Sequence, residues 1–128
     1  MKLLLDTHTL LWTMNNNPRL SRSAGTAIET LTNDVFVSVV NVWEAATKYR
    51  SGKLPEAARL VSDPSSVFAQ LRFVSLPVYV EHARLGGSMP HPHKDPFDRM
   101  LAAQALIEGL TLVSKDGVFD SMLVTRLW

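Results

Sequence analysis

Cysteine is absent from all 128 residues. Disulfide scaffolds, cysteine-based zinc sites and thiol nucleophiles are therefore excluded, and a reducing compartment, the cytoplasm, is the expected setting. An excess of either charge is missing too: 13 Lys and Arg stand against 12 Asp and Glu, a net charge of +1. No global basic field would hold such a chain on nucleic acid, so any grip on a phosphate backbone must come from local groups. Long apolar runs are also lacking. The longest uncharged stretch, Thr7 to Pro18, contains three Asn, whereas a membrane span needs about 20 predominantly apolar residues. Met1-Lys2-Leu3-Leu4-Leu5 opens like a signal peptide, but Asp6 and His8 interrupt it well short of an apolar core segment. No repeat, linker or low-complexity tract breaks the chain, and a soluble single domain over residues 1–128 is expected.

What is present suits that domain. With 46% hydrophobic residues, a chain of this length buries roughly two thirds of its unfolded surface and folds without staples. Lys2 to Leu5 reads as a short buried strand ending at Asp6, and Thr7 to Met14 as a helix stopped by Asn15-Asn16-Asn17-Pro18. Ser21 is a candidate N-cap for a helix through Thr32, with Ala24, Ala27, Ile28 and Leu31 on one face. Val35 to Val39 is a β-branched second strand, after which Asn41 can cap a helix to Arg50, with Gly52 at its exit. Asp63-Pro64 and Asp95-Pro96 each open a helix with an acid as cap and Pro at the first helical position. Between them lie a weak third strand, Arg72 to Leu76, a helix from Val78 to Leu85 ended by Gly86-Gly87, and a loop, Ser88 to His93. Gly109 closes the last long helix, Thr111 to Val113 is a fourth strand, and Met122 to Val124 a candidate fifth. Strands alternating with amphipathic helices predict an α/β fold, a parallel sheet covered on both faces.

Ligands of such sheets bind beyond the carboxyl ends of the strands, so acids at strand-to-helix junctions are the candidates. Four qualify: Asp6 after the first strand, Glu44 in the helix after the second, Asp98 in the first turn of the Asp95-Pro96 helix, and Asp116 after the fourth strand. Each also has an ordinary role open to it. Asp6 could cap the next helix, Glu44 could pair with Lys48 four residues on, and Asp116-Gly117 is a turn dipeptide. Asp98 is more telling, because Leu101, Ala102 and Ala105 make its helix face otherwise apolar. A carboxylate there needs a partner, Arg99 or Lys94 among its neighbours, or a cation. Converging carboxylates without cysteine suit a hard ion, Mg2+ or Mn2+, and such an ion suits phosphodiester hydrolysis.

These residues resemble a known family. Leu4-Leu5-Asp6-Thr7-His8, Trp43-Glu44-Ala45-Ala46-Thr47-Lys48 with Gly52-Lys53-Leu54, Asp95-Pro96-Phe97-Asp98-Arg99 running on through Ala105, and Leu112-Val113-Ser114-Lys115-Asp116 are, in order, similar to PIN domains. The resemblance runs end to end and is strongest to the toxin ribonucleases of VapBC-type toxin–antitoxin pairs. It implies a three-layer α/β/α domain with a mostly parallel, five-stranded sheet. It further implies a Mg2+- or Mn2+-dependent endoribonuclease held inactive by a cognate antitoxin, with a homodimer as a family expectation. Carried over by position, Asp6, Glu44, Asp98 and Asp116 match the family's acidic quartet, as catalytic residues and metal ligands. Asp6 and Asp98 are expected as direct ligands, with Glu44 and Asp116 completing the site or orienting water. Ser114 stands where Thr is frequent, and Asn41 where Ser is frequent.

Lys48, Arg99 and Ser114 are candidates for substrate contact, although ion-pair roles are equally open to the two cations. His8 could touch substrate or simply sit at the rim. His91 and His93 are spaced like ligands, but a Pro-flanked loop with no third His argues against a metal site. Trp12, Trp43 and Trp128 could stack bases or serve packing. A phosphoacceptor receiver domain would want paired acids after the first strand, and a haloacid-dehalogenase-type phosphatase a second Asp where His8 stands. The remaining alternative is a catalytically weak PIN-like module that binds nucleic acid or protein.

Overall fold

A computed structural model describes residues 1–128. The elements run β1 (Lys2–Leu5), α1 (Thr7–Met14), α2 (Arg22–Glu29), β2 (Asp34–Ser38) and α3 (Val39–Arg50), then a 3-10 turn (Pro55–Ala57), α4 (Ala58–Ser62), α5 (Pro64–Leu71) and β3 (Val74–Leu76). They continue α6 (Val80–Ser88), α7 (Pro96–Glu108), β4 (Thr111–Val113), α8 (Val118–Ser121) and β5 (Arg126–Leu127). All strands are parallel, in the order β3-β2-β1-β4-β5. No helix is long and apolar enough to cross a membrane.

Side chains alternate across a strand, and the two faces of β1 show it. Leu3 and Leu5, with Val35, Val37 and Val113, face a core closed by Leu10 and Leu11 of α1, Ala24 of α2, Ala45 of α3, Leu60 and Val67. Leu4 and Leu112 point the other way, onto Leu101, Ala102 and Ala105 of α7 with Phe119, Met122 and Val124. The sheet is therefore the middle of three layers. Register fixes the functional edge: Leu5 pairs with Val113 and Leu4 with Phe36, so the chain after β1, β2 and β4 emerges side by side. After β1 the chain works outward through β2 to β3, then returns to the other side of β1 for β4. The reversal leaves a crevice beyond the carboxyl ends of β1 and β4, the switch point at which such sheets bind ligands.

Several expected boundaries move. Met122 to Val124 is not a strand: Met122 and Val124 are buried, but Leu123 adopts φ 63 and stands 85% exposed, closing the turn after α8. The fifth strand is Arg126–Leu127, which pairs with Leu112 and Val113. Ser38, not Asn41, caps α3: its hydroxyl accepts from Val40 N, while Asn41 Oδ1 accepts from Ser38 N, a reciprocal capping box. Gly86-Gly87 does not end α6, which runs to Ser88. A Cβ on Gly86 would lie 3.4 Å from Met100 Cα, so the residue serves the close approach of α6 to α7. The second helix stops at Glu29 rather than Thr32.

Candidate active site

At the switch point lies a cleft of about 360 Å3 whose walls include Asp6, Glu44, Asp98 and Asp116, with Asp95, Lys48 and Lys115. Each acid arrives by a different local device. Asp6 follows β1 and caps α1, its Oδ1 accepting from Thr9 N at 2.8 Å. Its Oδ2 accepts from Ser114 Oγ at 2.5 Å, a contact set by the pairing of β1 with β4. Glu44 is buried on α3, where Thr7 Oγ1 donates to its Oε1 at 2.5 Å and Lys48 Nζ pairs with Oε2. Asn41 Nδ2 donates to Thr7 Oγ1 at 3.1 Å, extending the network inward. Asp98 sits in the first turn of α7, whose cap Asp95 accepts from Asp98 N at 3.0 Å. Asp98 Oδ2 meets His93 Nε2 at 2.8 Å. Asp116, exposed on the loop after β4, accepts from Val118 N.

Charge is crowded here, and burial sets the balance. Desolvation raises the Asp98 carboxyl from its ordinary 3.8 to about 6; the His93 hydrogen bond opposes the rise, and the charges of Asp95 and Glu44 add to it. Asp6 is also pushed up by burial, against the pull of the bonds from Ser114 and Thr9. Partial desolvation pulls Lys48 down, but the Glu44 hydrogen bond and charge, with those of Asp95 and Asp98, hold its ammonium above the lysine norm. Carboxylate oxygens are hard donors, and a set this dense with few cations among it suits a hard divalent ion in its chemistry.

The expected quartet thus lines one cleft, and no three acids or histidines are placed to hold one ion by themselves. The cause is visible in the bonds above. Each carboxylate is held by a protein donor of its own, and like charges keep apart. The ordinary roles open to Asp6, Glu44 and Asp116 are realised as well, as cap, ion pair and turn.

The candidate substrate contacts divide. Lys48 lines the cleft. Ser114 is fully buried; it donates to Asp6 and accepts from Asp116 N, so it orients acids instead of facing substrate. Arg99 points away: its guanidinium donates to the carbonyls of Gly86, Met89, His91 and His93 at 2.6–2.8 Å, and more distantly to Gly87. With its donors used on main chain, Arg99 clamps the loop that carries His93. Sequence reasoning missed His93 as the partner of Asp98, and Thr7 and Lys115 as cleft residues. A hydroxyl directly after Asp6 was the available signal for Thr7; a loop histidine leaves no periodic trace. His91 lies apart from the acids, with Nε2 on Ser121 Oγ.

The PIN domain family model matches residues 3–122. The chain belongs to the PIN domain family. PIN domains are generally nucleases that use divalent metal ions. Among solved structures, the chain is similar to one in VapBC2 from Rickettsia felis, described bound to a DNA fragment from their promoter (17% identity, 99% of this chain and 98% of that one, TM-score 0.71). It is similar also to a chain of FitAcB from Neisseria gonorrhoeae (19%, 98% and 96%, 0.68) and of VapBC-1 from nontypeable Haemophilus influenzae (15%, 99% and 97%, 0.67). At such identities the likeness is one of fold. No curated protein matches the sequence.

Proposed function

We propose that this PIN domain is a Mg2+- or Mn2+-dependent endoribonuclease and the toxin of a toxin–antitoxin pair, working in the cytoplasm. One observation carries the reading: four acids from four separate segments line a single cleft at the switch point of the sheet, and crowding and burial hold Asp98 at about 6. Asp6 and Asp98 are the residues to hold the ion, with Glu44 and Asp116 completing the site. When bound, the ion supplies a water of lowered pKa and offsets charge on the phosphoryl oxygens. The protein's own groups do the placing. Ser114 and Thr9 N fix both oxygens of Asp6, Thr7, itself held by Asn41, fixes Glu44, and Lys48 and Lys115 offer the cleft's positive charge to phosphate. The antitoxin belongs to the proposal as well, supported by fold likeness to chains of VapBC2, FitAcB and VapBC-1; a homodimer is added as a family expectation alone.

Cleavage of structured and unstructured RNA by the purified chain, with Mg2+ or Mn2+, with EDTA, and with Asp98→Asn alongside, tests this. Metal-dependent cutting that the variant loses is expected. The same ions should raise the melting temperature of the native chain by mass action and leave the variant unmoved. No cutting of any RNA together with no thermal shift by Mn2+ would overturn the nuclease reading in favour of a binding module.

A further inference from the structure

We infer that the His8–Trp12 wall of the cleft is a nucleobase-stacking subsite, which holds the base of a nucleotide whose phosphate meets the cleft's lysines; the inference rests on the ribonuclease reading above. His8 and Trp12 are four residues apart on α1, hence on one helix face. Both line the same cleft as the acids, Lys48 and Lys115. Their rings lie 5.7 Å apart between centroids, tilted by 50°, and Trp12 meets Trp128 at 5.8 Å and 56°. The three rings form a row, and their packing roles differ. Trp128 packs on the first core, and Leu10 and Leu11 are the residues of α1 buried in it; Trp12 belongs to neither core. His8 is exposed and Trp12 half-buried.

An indole that closes no core but lines a polar cleft offers a large apolar face to whatever enters. A nucleotide matches all three kinds of lining at once: phosphate for the lysines, the metal-dependent chemistry for the acids, and a base for the rings. Every base has a π-face, so stacking recognises an unpaired nucleotide without reading its identity. Bases in a duplex are stacked on each other and reach such a wall only after unpairing. A peptide side chain inserted here would instead have to strip water from the surrounding carboxylates.

The test reads binding, not cutting, with the full chain carrying Asp98→Asn in Mg2+. A fluorescein-labelled single-stranded oligoribonucleotide of about eight nucleotides is compared by anisotropy with the same backbone carrying abasic residues. The intact single strand should bind about 5- to 100-fold more tightly than the abasic one, the range expected of one stacked base. Trp12→Leu should collapse that ratio, Trp12→Phe should retain most of it, and His8→Ala should reduce it. Trp43→Phe is the control, since Trp43 stands 57% exposed outside the cleft, edge-on to Phe97. A ratio near one in the starting protein, or one unchanged in a folded Trp12→Leu, overturns the subsite. Should Trp12→Leu fail to fold, the exposed His8 decides, and an unchanged ratio in His8→Ala has the same force. A chain that stacks bases but, with Asp98 restored, cuts no RNA sinks the nuclease reading alone. One that cuts RNA with the ratio unaltered sinks the subsite alone.

Discussion

Removing the charge of Asp98 while keeping its shape should stabilise the protein, and more at neutral pH than in acid. Its carboxyl is raised from 3.8 to about 6, so between those values the native state binds a proton that the unfolded chain has released. Stability therefore falls as pH rises through this window and levels off above it. Integrating the two titrations from about pH 4.5 to about pH 7.5 gives a loss of about 2 kcal/mol at 1.36 kcal/mol per pK unit. The side chain is 22% exposed, so water screening brings the expectation to about 1 kcal/mol. Asp98→Asn lacks this loss, so the difference between the two proteins reports it. Urea unfolding of the two proteins in EDTA at both pH values is the assay. The gap between variant and native protein should widen in the variant's favour by about 1 kcal/mol on going to neutral pH, or about 4 °C in melting temperature for a domain of this size. A gap that is constant with pH, or that widens the other way, would refute the claim that burial and crowding strain this carboxylate.

Two further substitutions probe the support around the site. Arg99→Lys leaves one ammonium to do the work of a five-donor fork; a global loss of about 2 kcal/mol is expected, with hydrogen exchange accelerating first in Ser88–Lys94, and equal protection in both proteins would show the clamp to be idle. Gly86→Ala places a methyl against α7, 3.4 Å from Met100 Cα, and this crowding should offset the roughly 1 kcal/mol that Ala gains over Gly in a helix, leaving thermal unfolding nearly unchanged, whereas the same change at Gly87, where no atom lies within 4 Å, should stabilise by up to about 1 kcal/mol.

The layers of this fold were legible in the sequence because they are periodic. Leu3 to Leu5 alternate between two cores, and Asp63-Pro64 and Asp95-Pro96 mark helix starts with signals that need no tertiary context. The convergence of Asp6, Glu44, Asp98 and Asp116 on one cleft was legible for the same reason: each follows a strand or opens a helix at the same sheet edge. The failures share a cause as well. Leu123 looks like strand and is a left-handed turn, because an apolar triplet carries no record of the backbone angle between its buried ends. Asn41 reads as a cap and is the reciprocal member of a box centred three residues earlier. His93 reaches Asp98, and Arg99 leaves the cleft, through a loop whose path is set by hydrogen bonds to carbonyls, and carbonyls are invisible in a string of side chains.

That last feature bears on how freely the molecule can be rewritten. Arg99 grips Ser88–Lys94 wholly by its main chain, at the oxygens of Met89, His91 and His93. Every residue type carries that oxygen, so the clamp is blind to what the loop displays. The loop's path is stored in large part in helix α7, with two side-chain anchors of its own: His91 Nδ1, which accepts from His93 N, and Met89, which packs on the second core. Position 93, whose side chain bonds Asp98 and no loop main chain, can then present a different group to Asp98 without the segment losing its course. One arginine in a helix separates where the loop runs from what the loop says.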